Sequence, residues 1–103
     1  MAKPELGEVI VERSLDFIGS DGTSTRCSVR VGVPVPVEDG DWVCPYQLRA
    51  GDRVRSMGMH GIDSMQALVL TMKTLDVEIT HMAKKFDASV RFLDGSHNSV
   101  LDP

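Results

Sequence analysis

The sequence predicts an α+β fold, a four-stranded antiparallel meander with one long helix packed across one face. Apolar and polar residues alternate through the first half of the chain, and after Gly61 the apolar spacing changes to three or four residues. The chain has 103 residues, of which 42% are hydrophobic and 25% charged. These values are typical of one compact domain. We therefore expect residues 1–103 to form a single domain with irregular termini at 1–7 and 94–103.

The alternating stretches predict strands that are separated by turn-forming residues. The second strand has the clearest pattern, because every second residue from Cys27 to Val37 is apolar. The segments GSDGT, EDGD and AGD contain the glycine and aspartate that favour turns. The short run SVRFL favours a fifth strand at an edge of the sheet. The predicted strands span about 8–18, 27–37, 42–48, 53–58 and 89–93.

A helix is predicted over about 64–84, where apolar residues fall on one face. Asp63 is a suitable N-cap, and Gln66 three residues later completes a capping box. Lys84 and Lys85 place positive charge at the end of the helix where it is favourable. The sequence therefore specifies both ends of the helix. The residues predicted to face the sheet are Met65, Leu68, Val69, Met72, Leu75, Ile79, Met82 and Phe86.

Strand registers follow from placing apolar residues opposite apolar residues. Across the first turn, this rule places Leu15 opposite Cys27. Across the EDGD turn it places Val31 opposite Leu48, with every apolar pair on one face of the sheet. A shift of one residue would move these side chains to the other face, so the pattern restricts the register closely.

Prolines restrict the second hairpin further, since proline has no backbone N–H. The predicted register places Val37 opposite Trp42 and Pro34 opposite Pro45. The donors that these prolines lack would point away from the hairpin, toward any flanking strand. We therefore expect residues 34–45 to form a two-stranded ribbon that projects beyond the main sheet.

One side of this ribbon is apolar, and a lone ribbon is unstable in water unless something covers that side. The cover is either the helix or tail of the same chain, or else a second copy of the chain or another protein. A minor apolar stripe on the helix would extend an interface of the second kind. The interface candidates are Val35, Val37, Trp42 and Cys44 on the ribbon, and Leu70 and Val77 on the helix.

Charge and hydropathy exclude several classes of partner. The net charge of -4 disfavours binding to nucleic-acid phosphates. No stretch approaches the ~20 apolar residues of a membrane span, and the first residues lack the apolar core of a secretion signal. We therefore expect a cytoplasmic protein without a nucleic-acid or membrane partner. Cys27 and Cys44 lie far apart in the predicted sheet and outside metal-ligand spacings, so no disulfide, metal or other cofactor is predicted.

A different kind of site is suggested by the segment HGIDS, directly before the helix. Free backbone N–H groups and the positive end of the helix dipole favour an anion there. His60, Gly61, Asp63 and Ser64 would then form a small-ligand or anion site, or a hydrolase-like active site. Helix capping is the competing explanation, because an N-cap aspartate fills the place that an anion would take.

Arginines on the outer face of the sheet could join this ligand site. The predicted registers bring Arg30 and Arg49 near Arg53 or Arg55, where together they could receive a carboxylate or phosphate. The competing explanation is a lattice of solvated ion pairs, because Glu12 is predicted opposite Arg30.

Two segments, DWVCPYQL (41–48) and GIDSMQALVLTM (61–72), together resemble a family of short bacterial proteins with a domain of unknown function. That family pairs a GDWxCPY or GDWxCPF hairpin with a GxDSxQAL helix start, and the resemblance covers about residues 26–93. It implies a small α+β fold and a bacterial source, and it implies no activity. An aromatic residue often precedes the GxDS element in the family, where this chain has His60.

Two functions remain in view. The first is a small noncatalytic protein-interaction module that forms a homodimer through the 34–45 hairpin. The second is a small-ligand or anion binder, or a hydrolase-like enzyme, with its site at the start of the helix.

Overall fold

A computed structural model describes residues 5–92, apart from the side chain of Phe92. Most of the irregular termini predicted from the sequence, and the last residue of the predicted fifth strand, lie outside this range. The elements in chain order are β1 (Val9–Gly19), β2 (Ser24–Gly32), β3 (Val35–Pro36), a 3₁₀ turn (Glu38–Gly40), β4 (Trp42–Ala50), β5 (Arg53–Gly61), α1 (Ser64–Lys85) and β6 (Ala88–Phe92).

The strands form one curled antiparallel sheet, and the predicted α+β class is confirmed. β1, β2, β4 and β5 pair in sequence order as a meander. β6 adds the fifth strand by pairing with the free edge of β1, and the short β3 continues along β4 beyond the end of β2. The helix lies across one face of this sheet, where it packs against β4, β5 and β6.

The register of β1 against β2 is confirmed. Leu15 lies opposite Cys27, and Glu12 lies opposite Arg30. The register shifts at the start of β1, so that Val9 lies opposite Gly32. Such a bulge inserts one unpaired residue and ends the regular ladder at this end of the strand.

The predicted register of β2 against β4 was wrong by two residues. Val31 lies opposite Tyr46, and not opposite Leu48. Two irregularities of one residue each cause the shift. The turn is tighter than predicted, because Pro36 and not Val37 lies opposite Trp42 and the Val37 N–H donates to the Asp41 carbonyl 2.8 Å away. The chain also leaves the ladder between β2 and β3. Side chains alternate with a period of two residues, so a shift of two keeps the apolar residues of β2 and β4 on the face toward the helix.

The prediction that residues 34–45 project as a free ribbon was wrong on one side. β5 pairs with β4 along its whole length, from Ala50 opposite Arg53 to Trp42 opposite Gly61. Pro45 lies opposite Gly58 within this ladder, because one missing donor removes one hydrogen bond and leaves the neighbouring pairs intact. The sequence prediction ended the fourth strand at 58, three residues too early, where two glycines weaken the strand signal.

The helix begins and ends close to the predicted residues, and it crosses the sheet diagonally. Near its start, an added Cβ on Gly61 would lie 2.5 Å from the backbone nitrogen of Ala67, so helix and strand are in direct backbone contact. Near its end, the rings of Phe17 and Phe86 lie 5.6 Å apart. The core between helix and sheet is one cluster: Leu15, Phe17, Cys27, Val29, Val31, Cys44, Tyr46, Leu48, Ala50, Ala67, Leu75, Ile79, Met82 and Ala83.

Candidate functional site

Exposed apolar side chains gather at one end of the molecule. The start of β1, the end of β2, β3, the start of β4, the end of β5 and the start of α1 all meet there. Ten large hydrophobic residues are exposed among the described residues, and eight of them belong to these segments. We call this surface the apolar end, and its members are Val9, Ile10, Val11, Val35, Val37, Ile62, Met65 and Val69.

Acidic side chains surround the apolar end. Glu8 precedes β1, the turn between β3 and β4 carries three more carboxylates, and Asp63 precedes α1. All five of these residues are exposed. His60 is also exposed at this end. The apolar end is therefore an apolar surface with a negatively charged border.

The predicted interface residues on the hairpin have different positions. Val35 and Val37 are 40% and 36% exposed, so the chain leaves both of them uncovered. Trp42 is half-buried against the core, and Cys44 is completely buried. The Thr71 hydroxyl donates to the Cys44 carbonyl at 3.3 Å, which shows that the chain's own helix covers this part of the hairpin.

The two helix residues predicted for the interface, Leu70 and Val77, lie in different environments. Leu70 is half-buried, whereas Val77 is 68% exposed and lies away from the apolar end, toward the start of β5.

Met65 was assigned to the buried face by its spacing, yet it is 74% exposed. The buried residues Ala67, Thr71 and Leu75 recur every four positions, and Met65, two positions before Ala67, lies about 200° around the helix from it. Val69, which was also predicted to face the sheet, is 42% exposed for the same reason. The sequence therefore missed Met65 and Ile62 as surface residues of the apolar end.

The residues at the start of the helix form a capping structure. The Asp63 carboxylate accepts a hydrogen bond from the Gln66 backbone N–H at 2.7 Å, and the Gln66 side chain accepts one from the Ile62 N–H at 2.8 Å. Capping by these two residues was predicted, but the Gln66 side chain meets the N–H of Ile62, one residue before the N-cap whose N–H the standard capping box uses. His60 follows Met59 on β5 and precedes Gly61, which contacts the helix, so strand alternation directs His60 to the other face. The ligand site at His60, Gly61, Asp63 and Ser64 stays a prediction.

Replacing Asp63 with alanine tests the capping interpretation directly. The variant loses one side-chain acceptor at the helix start, so the free energy of unfolding is expected to fall by about 1 kcal/mol. Urea denaturation measures this change, with Asp63→Asn as the control because asparagine is an equally good N-cap. A variant with unchanged stability would contradict the role of Asp63 as a cap.

The predicted cluster of arginines divides between the two faces of the sheet. Arg30 pairs with Glu12 at 3.2 Å on the outer face, where an ion-pair lattice was the competing explanation. Arg49 lies opposite Val54 and is also exposed. Arg55 instead reaches the helix, where it pairs with Glu78. Arg55 therefore lies on the opposite face of the sheet from Arg30 and Arg49, and the ligand role of Arg30 and Arg49 stays a prediction.

Both cysteines are buried free thiols. Burial raises the pKa of Cys27 to about 11, and burial also raises the pKa of Cys44, against the opposing effect of its hydrogen bond with Thr71. Since the thiolate is the reactive form, both side chains are weak nucleophiles at neutral pH. Residues 5–92 contain no group of three or more His, Cys, Asp or Glu side chains that could hold a metal ion. Within the same range, no helix is long and apolar enough to cross a membrane.

Comparison with known protein families gives one match. A family model described as a domain of unknown function (DUF6968) matches residues 11–101. Comparisons with curated proteins and with solved structures gave no match.

Proposed function

We propose a function for this chain, which belongs to the family described as a domain of unknown function (DUF6968). The chain is a small noncatalytic protein-interaction module that forms a homodimer. The observation that carries the proposal is the apolar end, which includes Val35 and Val37 of the hairpin. Large exposed apolar patches on a small protein mark sites of association.

The size of the apolar end supports a second copy of the chain as the occupant. From their exposed fractions, the eight residues together expose on the order of 700 Å², divided between the sheet face that carries Val35 and the helix that carries Met65, against the roughly 800 Å² that each partner buries in a standard interface. An isologous dimer uses the same surface on both subunits, so one patch of this size is sufficient.

The acidic border determines how the association responds to salt. Two copies that meet through the apolar end bring like charges together, and this repulsion opposes the gain from apolar burial. Salt screens charges over about 8–10 Å at physiological strength. The dimer is therefore expected to become tighter as salt is raised, which is opposite to the behaviour of an interface held by ion pairs.

The location and source of the protein belong to the same proposal. Free thiols at Cys27 and Cys44 are consistent with a reducing compartment, which supports the bacterial cytoplasm as its place of action. The GDWxCPY and GxDSxQAL motifs suggest that source by resemblance.

Sedimentation equilibrium of the full chain between about 5 and 500 µM tests self-association. We expect a monomer–dimer equilibrium that Met65→Glu weakens by roughly tenfold or more, because a charge in the buried centre of an interface is costly. Met65 lies in the first turn of α1, where an acidic residue favours the helix, so the variant is expected to stay folded.

Val77→Glu is the matched control, because Val77 is similarly exposed on the same helix and lies away from the apolar end. It is expected to leave the dimer unchanged. A chain that stays monomeric at the highest concentration, or an equal loss in both variants, would refute self-association through the apolar end.

A further inference from the structure

A cleft of about 450 Å³ lies between the start of β5 and the C-terminal half of α1. It is at the end of the molecule opposite the apolar end, because β5 begins where β4 ends. Its charged lining comes from Arg53 and Arg55 on the strand and from Glu78, His81 and Lys85 on the helix. We call it the basic cleft.

The balance of charge in the basic cleft is positive, although the whole chain carries -4. The carboxylate of Glu78 is already paired with Arg55. Arg53 lies over the ring of Phe86, with its guanidinium carbon 5.6 Å from the ring centroid. Among the described residues, neither Arg53 nor Lys85 has a carboxylate within ion-pair distance.

The helix dipole does not cancel this positive charge. The C-terminal end of a helix is equivalent to about half a negative charge, and two full positive charges remain after the Arg55 and Glu78 pair is set aside. An anion in the basic cleft therefore meets a net attractive field.

Glu78, in the lining of the cleft, also interacts with the buried phenol of Tyr46. Burial, together with the adjacent negative charge of Glu78, raises the pKa of Tyr46 to about 12. Tyr46 is 2% exposed and part of the core, so Glu78 is anchored from below as well as by Arg55. A carboxylate held in this way keeps Arg55 in place.

We propose that the basic cleft binds a small organic anion, in which a carboxylate or phosphate group is attached to an apolar body. Arg53 and Lys85 contact the anionic group, and guanidinium and ammonium groups are the usual partners of such oxygens. Val54, Val77 and Met82 supply the apolar part of the lining. The volume is within the range of small-molecule sites, which is roughly 300–1,000 Å³.

Titration of the isotope-labelled full chain with four probes of equal chain length tests this proposal by NMR. The probes are octanoate, octyl phosphate, octanol and octylamine. We expect saturable shifts of the amides of residues 53–55 and 77–85 with one or both anions, and the anion that binds more tightly identifies the group. Equal binding of octanol, tighter binding of octylamine, or no saturation with any probe up to about 10 mM would overturn the proposal.

Substitution of Arg53 and Lys85 tests whether the anion binds in the basic cleft. Arg53→Gln combined with Lys85→Gln is expected to weaken binding of the anion by roughly tenfold or more, since both charges are removed. Arg49→Gln is the matched control, because Arg49 is an exposed arginine on the neighbouring strand outside the cleft. Thermal unfolding of each variant checks that the fold is retained. Equal affinity in the double variant and the wild type would overturn the proposal independently of the oligomeric state.

Discussion

Replacing Gly61 with alanine is expected to lower the free energy of unfolding by about 3 kcal/mol or more, a large part of the stability of a domain this size. The added Cβ would lie 2.5 Å from the backbone nitrogen of Ala67 and 3.0 Å from its Cα. Neither atom belongs to a flexible side chain that could rotate away. The start of α1 would have to move off the sheet, which would open the contact between Thr71 and Cys44.

Gly19→Ala is a suitable control for this substitution, and urea denaturation measures both variants. A Cβ on Gly19 would meet the side-chain oxygens of Asp21 and Thr23 at 2.9 Å, in an exposed turn where those side chains can shift. Its cost is expected to be clearly smaller. If Gly61→Ala lost less than about 1 kcal/mol, the helix and β5 would not be in direct backbone contact.

Replacing Leu75 with alanine is expected to cost about 2–5 kcal/mol, because the substitution leaves a cavity in a closely packed core. Leu75 is 1% exposed at the middle of the buried face of α1. The control is Val77→Ala, two residues along the same helix at a position that is 68% exposed. That change should alter stability by no more than about 0.5 kcal/mol, because little apolar surface is buried there.

Chemical denaturation of the two helix variants at the same protein concentration gives the comparison. A similar loss in both variants would mean that Val77 is covered in solution, contrary to its exposure in the fold. A small loss in Leu75→Ala would mean that the centre of the helix is not packed on the sheet.

Local signals in the sequence were sufficient to predict the register of the first hairpin and the start of the helix. The short GSDGT turn leaves little freedom in the pairing of Leu15 with Cys27, so the alternation of apolar residues determined the register. Asp63 and Gln66 both act within one turn of the helix, and capping by these two residues was predictable from their spacing alone.

The second pair of strands could not be placed by the same reasoning. A shift of two residues keeps every apolar side chain on the same face, so alternation cannot distinguish Val31 opposite Tyr46 from Val31 opposite Leu48. The difference comes from the break between β2 and β3 and from a turn after Val37 that is one residue tighter than predicted. Neither has a distinct signature in residue type.

The candidate surfaces were predicted only in part. Val35 and Val37 were recognised from their alternation, and both are exposed. Met65 was missed because a spacing of three or four residues fits more than one stripe of the helix, and the stripe that is buried runs through Ala67, Thr71 and Leu75. The basic cleft was missed because Arg53 or Arg55 was predicted on the outer face of the sheet, whereas both side chains lie on the face that the helix covers. These properties depend on how the elements are arranged in space, which a periodic pattern does not describe.

The pairing of β6 with β1 also affects how the chain folds. Every other strand pairing joins segments that are close in sequence, whereas this one brings residues 88–92 back to residues 15–19. Closing so long a loop has a high entropic cost that is recovered only after the intervening elements are in place. We therefore expect the meander and the helix to assemble first and β6 to attach last at its five-residue edge. We expect the same strand to be the first to detach when the domain begins to open.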